Sequence, residues 1–335
     1  MLFQPAIIAL LLAAGLAVLM LLLATPFALQ VIRRWDMSSG SEFQLILERR
    51  TYLFSTLVSF VLVVQLGALL LFVFNADRLA AMFVGAMCAV GTLNVNEWGF
   101  PALIAQMIVF FLAAAWLAIN HVDTQARDYP LVRIKYGLLI VLLPFLAVSL
   151  WLQFRYFSGL KANVITSCCG SMFSTEAESI AGDLSALPPL PAIWLFYTTM
   201  ALTTLLALWH WRRHGAISGG LLALLSAAGF IVAMTGVLSF VSLYIYEHPH
   251  HHCPFCILKP EYDYRGYALY LPLFAATAAG LGAGAIQPFA RVASLRAIVP
   301  RVSARLAILT AAGFLLFTVV ATGFVLASNL ILIEH

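Results

Sequence analysis

The sequence predicts an all-α polytopic membrane protein of about eight transmembrane helices, and three observations carry that prediction. Hydrophobic residues make up 63% of the 335-residue chain and charged residues only 10%, more apolar surface than the core of a water-soluble domain takes up. Apolar runs long enough to cross roughly 30 Å of hydrocarbon, about 20 helical residues at 1.5 Å each, recur from end to end. Lys and Arg gather in alternate linkers, as they do where positive residues are held on the cytoplasmic side.

The first run, 5–32, follows Met1-Leu2-Phe3-Gln4-Pro5, which has no Lys or Arg. It is longer than the apolar stretch of a cleaved signal peptide and reads as a retained span. The next runs are 51–74, 99–120, 136–158, 191–211, 217–246, 265–288 and 306–331. Pro144 and Pro272 are expected to bend their spans, because each lacks a backbone donor and crowds the preceding turn. Gly280, Gly282 and Gly284 lie in an apolar run, so Gly280-x-x-x-Gly284 reads as close helix packing, not as a phosphate loop. No internal repeat is visible, and residues 1–335 read as a single transmembrane domain.

The linkers 33–50, 121–135, 212–216 and 289–305 hold Arg33, Arg34, Arg49, Arg50, Arg127, Arg133, Lys135, Arg212, Arg213, Arg291, Arg296, Arg301 and Arg305, against Arg78, Arg155, Lys161, Lys259 and Arg265 elsewhere. This asymmetry predicts that both termini are extracytoplasmic, with loops 75–98, 159–190 and 247–264 facing the periplasm of a bacterial inner membrane. All five cysteines, Cys88, Cys168, Cys169, Cys253 and Cys256, fall in those loops. The bland alternative is that small apolar thiols collect at helix ends.

Several functions lose ground here. The net charge of +4 sits at helix ends, which argues against a nucleic-acid partner; the expected partner is the lipid bilayer. No span carries an ionisable residue near its centre, unlike ion-coupled transporters. There is no haem signal: His121, His210 and His214 lie at span ends, and Ile257 follows Cys256 where a covalent haem motif needs His.

The sharpest motif is Glu247-His248-Pro249-His250-His251-His252-Cys253-Pro254-Phe255-Cys256. Two thiols separated by two residues can form a redox pair, with His252 placed to support the Cys253 thiolate. The same residues, Cys253 and Cys256 with His250 and His252, equally suit a metal tetrahedron. Cys168-Cys169 is a vicinal pair whose own disulfide would be a strained ring, so each sulfur suits a partner elsewhere: the Cys253/Cys256 pair or a soft metal. Cys88 reads as readily as a packed small apolar residue as it does as a further thiolate ligand. Tyr244, Tyr246, Phe255, Tyr262, Tyr264, Tyr267 and Tyr270 read first as the interfacial aromatic belt and second as the lining of a cofactor edge.

Cys253-Pro254-Phe255-Cys256-Ile257-Leu258, at the outer mouth of a span and accompanied by further loop cysteines, resembles the quinone-linked disulfide-forming membrane oxidoreductases and the vitamin K epoxide reductases. The resemblance implies that Cys253 and Cys256 are the quinone-proximal pair, that Cys168 and Cys169 are the shuttle pair, and that periplasmic thiol proteins are the partners. Those families have a four- or five-helix core, against about eight spans here. Two functions from different classes therefore stand as expectations: an extracytoplasmic thiol–disulfide oxidoreductase, and a Cu, Zn or Hg binding or transport protein. A third is a structural subunit braced by loop disulfides within a membrane complex.

Overall fold

The computed structural model describes residues 2–36, 39–161 and 189–331. Eight helices among them are long and apolar enough to cross a membrane, and no strand occurs among the described residues. The protein is thus an all-α integral membrane protein. Its long helices expose Leu12, Leu16, Leu23, Phe60, Trp194 and Leu224 on their outer faces, side chains that a bilayer can cover and water cannot.

The helices are α1 (Pro5–Arg34), α2 (Glu42–Leu79), α3 (Ala89–Leu93), α4 (Gly99–Gln125), α5 (Val132–Ser158), α6 (Pro189–Arg213), α7 (Ala216–Gly236), α8 (Ser242–Tyr246), α9 (Arg265–Ile286) and α10 (Ile298–Ala327). A π-helical turn, Val237–Val241, joins α7 to α8, so the sixth span runs from Ala216 to Tyr246 without a break. Pro26, Pro144 and Pro272 lie inside helices.

Two spans begin eight or nine residues earlier than hydropathy predicts. α2 starts at Glu42 where the apolar run starts at 51, and the Ser41 hydroxyl caps it by accepting the Gln44 N–H at 3.3 Å. Its first turns are polar, yet Gln44 and Leu47 are buried, and helix-forming side chains carry the helix beyond the apolar boundary. α10 starts at Ile298, with Pro300 in its first turn, where a missing N–H costs nothing. It stops at Ala327, four residues short of the apolar run's end, and the following Asn329 donates its backbone N–H and its amide to Glu247 Oε1.

The chain divides into two compact units. The first comprises Met1–Asn75, Asn96–Leu160 and Ala285–Ser303. In it α1 and α4 both pack on α5. Its core includes Leu21, Phe27, Val58, Trp116, Tyr136 and Leu142, with Phe27 stacked on Phe54 at 4.7 Å and edge-on to Tyr136 at 5.5 Å. The buried Gln65 amide donates to the Ala13 carbonyl at 2.9 Å, which meets the need of a polar group deep in an apolar bundle.

The second unit comprises Ala76–Val95, Lys161–Gly284 and Ala304–His335. Here α6 packs on α7 and the π turn, with the Phe196 ring edge-on to Phe240 at 5.3 Å. Small residues let α9 approach its neighbours closely. A Cβ on Gly280 would stand 2.0 Å from Ser226 Oγ, and one on Gly284 would stand 2.4 Å from Ala223 Cβ. The Gly280-x-x-x-Gly284 stripe is therefore a helix contact, as its apolar setting suggests.

Candidate functional site: a buried group of three thiols

The second unit brings together three cysteines from two distant segments. After α2, a 3-10 turn over Ala80–Met82 and a bend at Gly85, whose φ is 87°, reverse the chain. A residue with a side chain rarely adopts that φ, so glycine is what the bend requires. Cys88 follows in extended backbone just before α3, whose residues are all buried.

The second segment leaves α8 at Glu247, in left-handed conformation, and passes through the histidines. Cys253-Pro254-Phe255-Cys256 then turns into a 3-10 helix over Cys256–Leu258, closed by Leu258 N–H to Phe255 O at 2.9 Å and Lys259 N–H to Cys256 O at 3.1 Å. This compact turn puts the two thiols on one side.

Cys88 Sγ lies 3.6 Å from Cys253 Sγ, well beyond the roughly 2.05 Å of a covalent S–S bond. The sulfurs of Cys88, Cys253 and Cys256 all lie within 4.8 Å of one another. Their residues are 0%, 0% and 5% exposed, so the thiols of a soluble protein cannot dock on them directly.

The surrounding side chains fix the backbone of this turn. The Tyr246 hydroxyl donates to the Cys253 carbonyl and the Tyr270 hydroxyl donates to the Pro254 carbonyl at 2.6 Å. Lys259 Nζ donates to the Met87 carbonyl at 2.8 Å, linking the two cysteine-bearing segments. At the start of α9, Gly266 has no room for a side chain, because its Cβ would meet Leu258 Cδ2 at 2.8 Å and Ile257 Cγ1 at 2.9 Å. Tyr262 stands edge-on to Tyr246 at 4.7 Å; burial, then the neighbouring Cys256 sulfur, pushes its hydroxyl above the ordinary tyrosine range.

These contacts have a measurable weight. Tyr270→Phe leaves the buried Pro254 carbonyl without its donor and should destabilise the protein by about 1–3 kcal/mol. The loss should appear in unfolding followed by circular dichroism. Alkylation of Cys256 should also quicken as the turn loosens.

The histidines part company from the sulfurs. His252 is buried, and its Nδ1 must be the protonated nitrogen, because it lies 2.8 Å from the Leu238 carbonyl, which can only accept. His251 stacks on Tyr246 at 4.1 Å. His250 is exposed, and its backbone N–H donates to His248 Nδ1 at 3.3 Å. The three-thiol group contains no imidazole. Cys168 and Cys169 lie outside the described residues.

Cys88, weighed in the sequence as a possible packing residue, stands in contact with Cys253. Lys259, Tyr246 and Tyr270 support the turn in ways the motif does not announce; the one signal is the recurrence of tyrosines on both sides of Cys-Pro-x-Cys. The chain matches no protein-family model, no curated protein and no solved structure.

Proposed function

We propose that the protein binds a soft metal ion, Cu(I) foremost, at Cys88, Cys253 and Cys256 on the extracytoplasmic side of a bacterial inner membrane. The observation that carries the reading is the convergence of three buried sulfurs within 4.8 Å of one another. Around an ion with metal–sulfur bonds of about 2.3 Å, three ligands stand roughly 3.8–4.0 Å apart, so this group needs only small side-chain adjustments. An all-thiolate donor set suits Cu(I). Zn(II) normally completes a tetrahedron with a fourth ligand, and among the described residues the group supplies three. The outward orientation rests on the Arg-rich linkers, and the bilayer is the protein's setting.

Under reducing conditions, the full-length protein in detergent should take up one Cu(I) per chain, with sulfur neighbours at about 2.3 Å in X-ray absorption. Cys88→Ser and Cys253→Ser should each abolish stoichiometric binding. A Cys88→Ser variant that loads like the parent would sink the three-thiol reading.

One observation favours thiol–disulfide exchange as a second reading: the 3.6 Å contact between Cys88 and Cys253. In that chemistry the Cys88 thiolate attacks Cys253 of a Cys253–Cys256 disulfide, the Cys88–Cys253 bond forms, and Cys256 departs as thiolate. A quinone acceptor belongs to this reading, as do periplasmic thiol proteins that exchange through a further thiol pair, since the three buried sulfurs are closed to them directly. It requires a Cys88–Cys253 disulfide in Cys256→Ser after mild oxidation, detected by mass spectrometry, and reversible two-electron titration of the parent. A chain that binds Cu(I) stoichiometrically and shows neither result is a metal-binding protein.

A further inference from the structure

The two cysteine-bearing segments of the second unit meet through a side chain that the thiol chemistry does not use. Lys259 Nζ crosses from the turn that holds Cys253 and Cys256 to the Met87 carbonyl at 2.8 Å, immediately before Cys88. The Lys259 backbone is itself fixed to that turn. Its N–H donates to the Cys256 carbonyl at 3.1 Å, and its carbonyl accepts the N–H groups of Tyr262 and Tyr264, each at 3.1 Å. The ammonium also lies 3.6 Å from Glu261 Oε1, and Asp77, near the end of α2, interacts with it and with the Ala89 N–H. Lys259 and Asp77 thus bear on the residues either side of Cys88.

The Cys88 side is built to move. Met87 is 67% exposed, so packing of its own side chain does not fix it. Just before it, Gly85 at φ 87° supplies a position where the backbone turns without a side-chain penalty. Just after Cys88 comes α3, five residues long and buried throughout. Cys88 therefore lies between a pivot and an anchor, on backbone whose place is set from across the gap by Lys259. A cation's hydrogen bond is among the stronger kinds, and this ammonium, 25% exposed, is partly shielded from the water that competes for it. Because the three sulfurs are closed off, whatever reaches them needs a segment to give way.

We propose that Lys259 is a positioning residue that acts as a latch: its bond to the Met87 carbonyl holds Cys88 in the thiol group, and its release lets residues 86–88 swing out about Gly85. The turn that carries Cys256 keeps its own hydrogen bonds when the latch opens, because Leu258 N–H to Phe255 O and Lys259 N–H to Cys256 O are made by backbone alone. Cys88 is thus the sulfur that moves. Resting on the metal reading of the site, this gives an order of entry: a soft cation meets Cys253 and Cys256 first, and Cys88 closes on it as the third ligand.

The test uses the full-length protein in detergent, reduced and freed of metal beforehand, with N-ethylmaleimide as the probe and each alkylated cysteine resolved by mass spectrometry. Lys259→Met should quicken alkylation of Cys88 about tenfold, since loss of a hydrogen bond to a charged group raises the population of the open form. Cys256 should quicken less. Lys259→Arg, which keeps a charged donor of similar reach, should return Cys88 to near the parent rate. Glu261→Gln, which removes an ion-pair partner 63% exposed, should change neither. Cys88 alkylation at the parent rate in Lys259→Met, equal quickening of Cys88 and Cys256 as general loosening would give, or no recovery in Lys259→Arg overturns the proposal. A parent that takes up no Cu(I) ends the metal reading and leaves this comparison, made without metal, standing.

Discussion

Replacing Asp123 with Ala should lower the stability of the full-length protein by about 3–5 kcal/mol, the range for removing one partner of a buried ion pair. The magnitude follows from what remains. Lys135, 1% exposed, would keep the Asn120 amide oxygen but lose its counter-charge, and the Leu131 N–H would lose its acceptor. Asp123 thus meets a buried charge and a buried backbone donor together. Replacing both partners with apolar residues of similar size, Asp123→Leu with Lys135→Met, should cost far less, because no charge is stranded. Reversible unfolding in mixed micelles measures both variants. A loss below about 1 kcal/mol for Asp123→Ala would mean that water reaches the pair, as it does for surface ion pairs.

The second large effect is expected at Gly280. An alanine there would put Cβ 2.0 Å from Ser226 Oγ and 2.7 Å from Ser226 Cβ, distances that force α7 and α9 apart. Overpacking of this kind costs about 1–3 kcal/mol. Rotation of the Ser226 hydroxyl relieves only the first clash, because Cβ cannot swing away. Ser226→Gly should therefore restore much of the stability lost in Gly280→Ala, whereas the same replacement in the parent should only destabilise. Thermal unfolding of the four proteins in this cycle gives the coupling directly; additive losses would show that the two positions do not meet.

The spans were legible because a run of apolar side chains needs no knowledge of its neighbours to be recognised. Their ends were less so: residues 42–50 are polar enough to read as linker, yet they continue α2, since a helix satisfies its own backbone whether or not lipid surrounds it. Two of the three thiols were equally plain. Cys253 and Cys256 announce themselves by spacing, whereas Cys88 lies 165 residues before Cys253 and gains its meaning from the fold.

The ion pair was illegible for a different reason. Asp123 and Lys135 sit at opposite ends of a short connection, where charges usually mark the membrane boundary, and their burial and the Lys135 bond to Asn120 distinguish them from the arginines nearby. Nothing in the local pattern separates a charge that orients a helix from one sealed inside a bundle. Even so, an acid and a base flanking a tight Tyr129-Pro130 connection are natural partners, because the two helix ends are held close together.

The wide turn at Val237–Val241 gives the sixth span a change of phase. Each residue of an α-helix advances by about 100°, so a turn holding one residue more than its neighbours rotates everything after it by that step. Tyr246, whose hydroxyl holds the Cys253 carbonyl, lies after the turn, while Leu238, which receives His252, lies within it. A regular helix of the same length would carry the tyrosine about a third of the way around the axis. The span therefore has two registers, one set for packing against α6 and α9 and one set for the thiols, and the single surplus residue lets each be met without compromising the other.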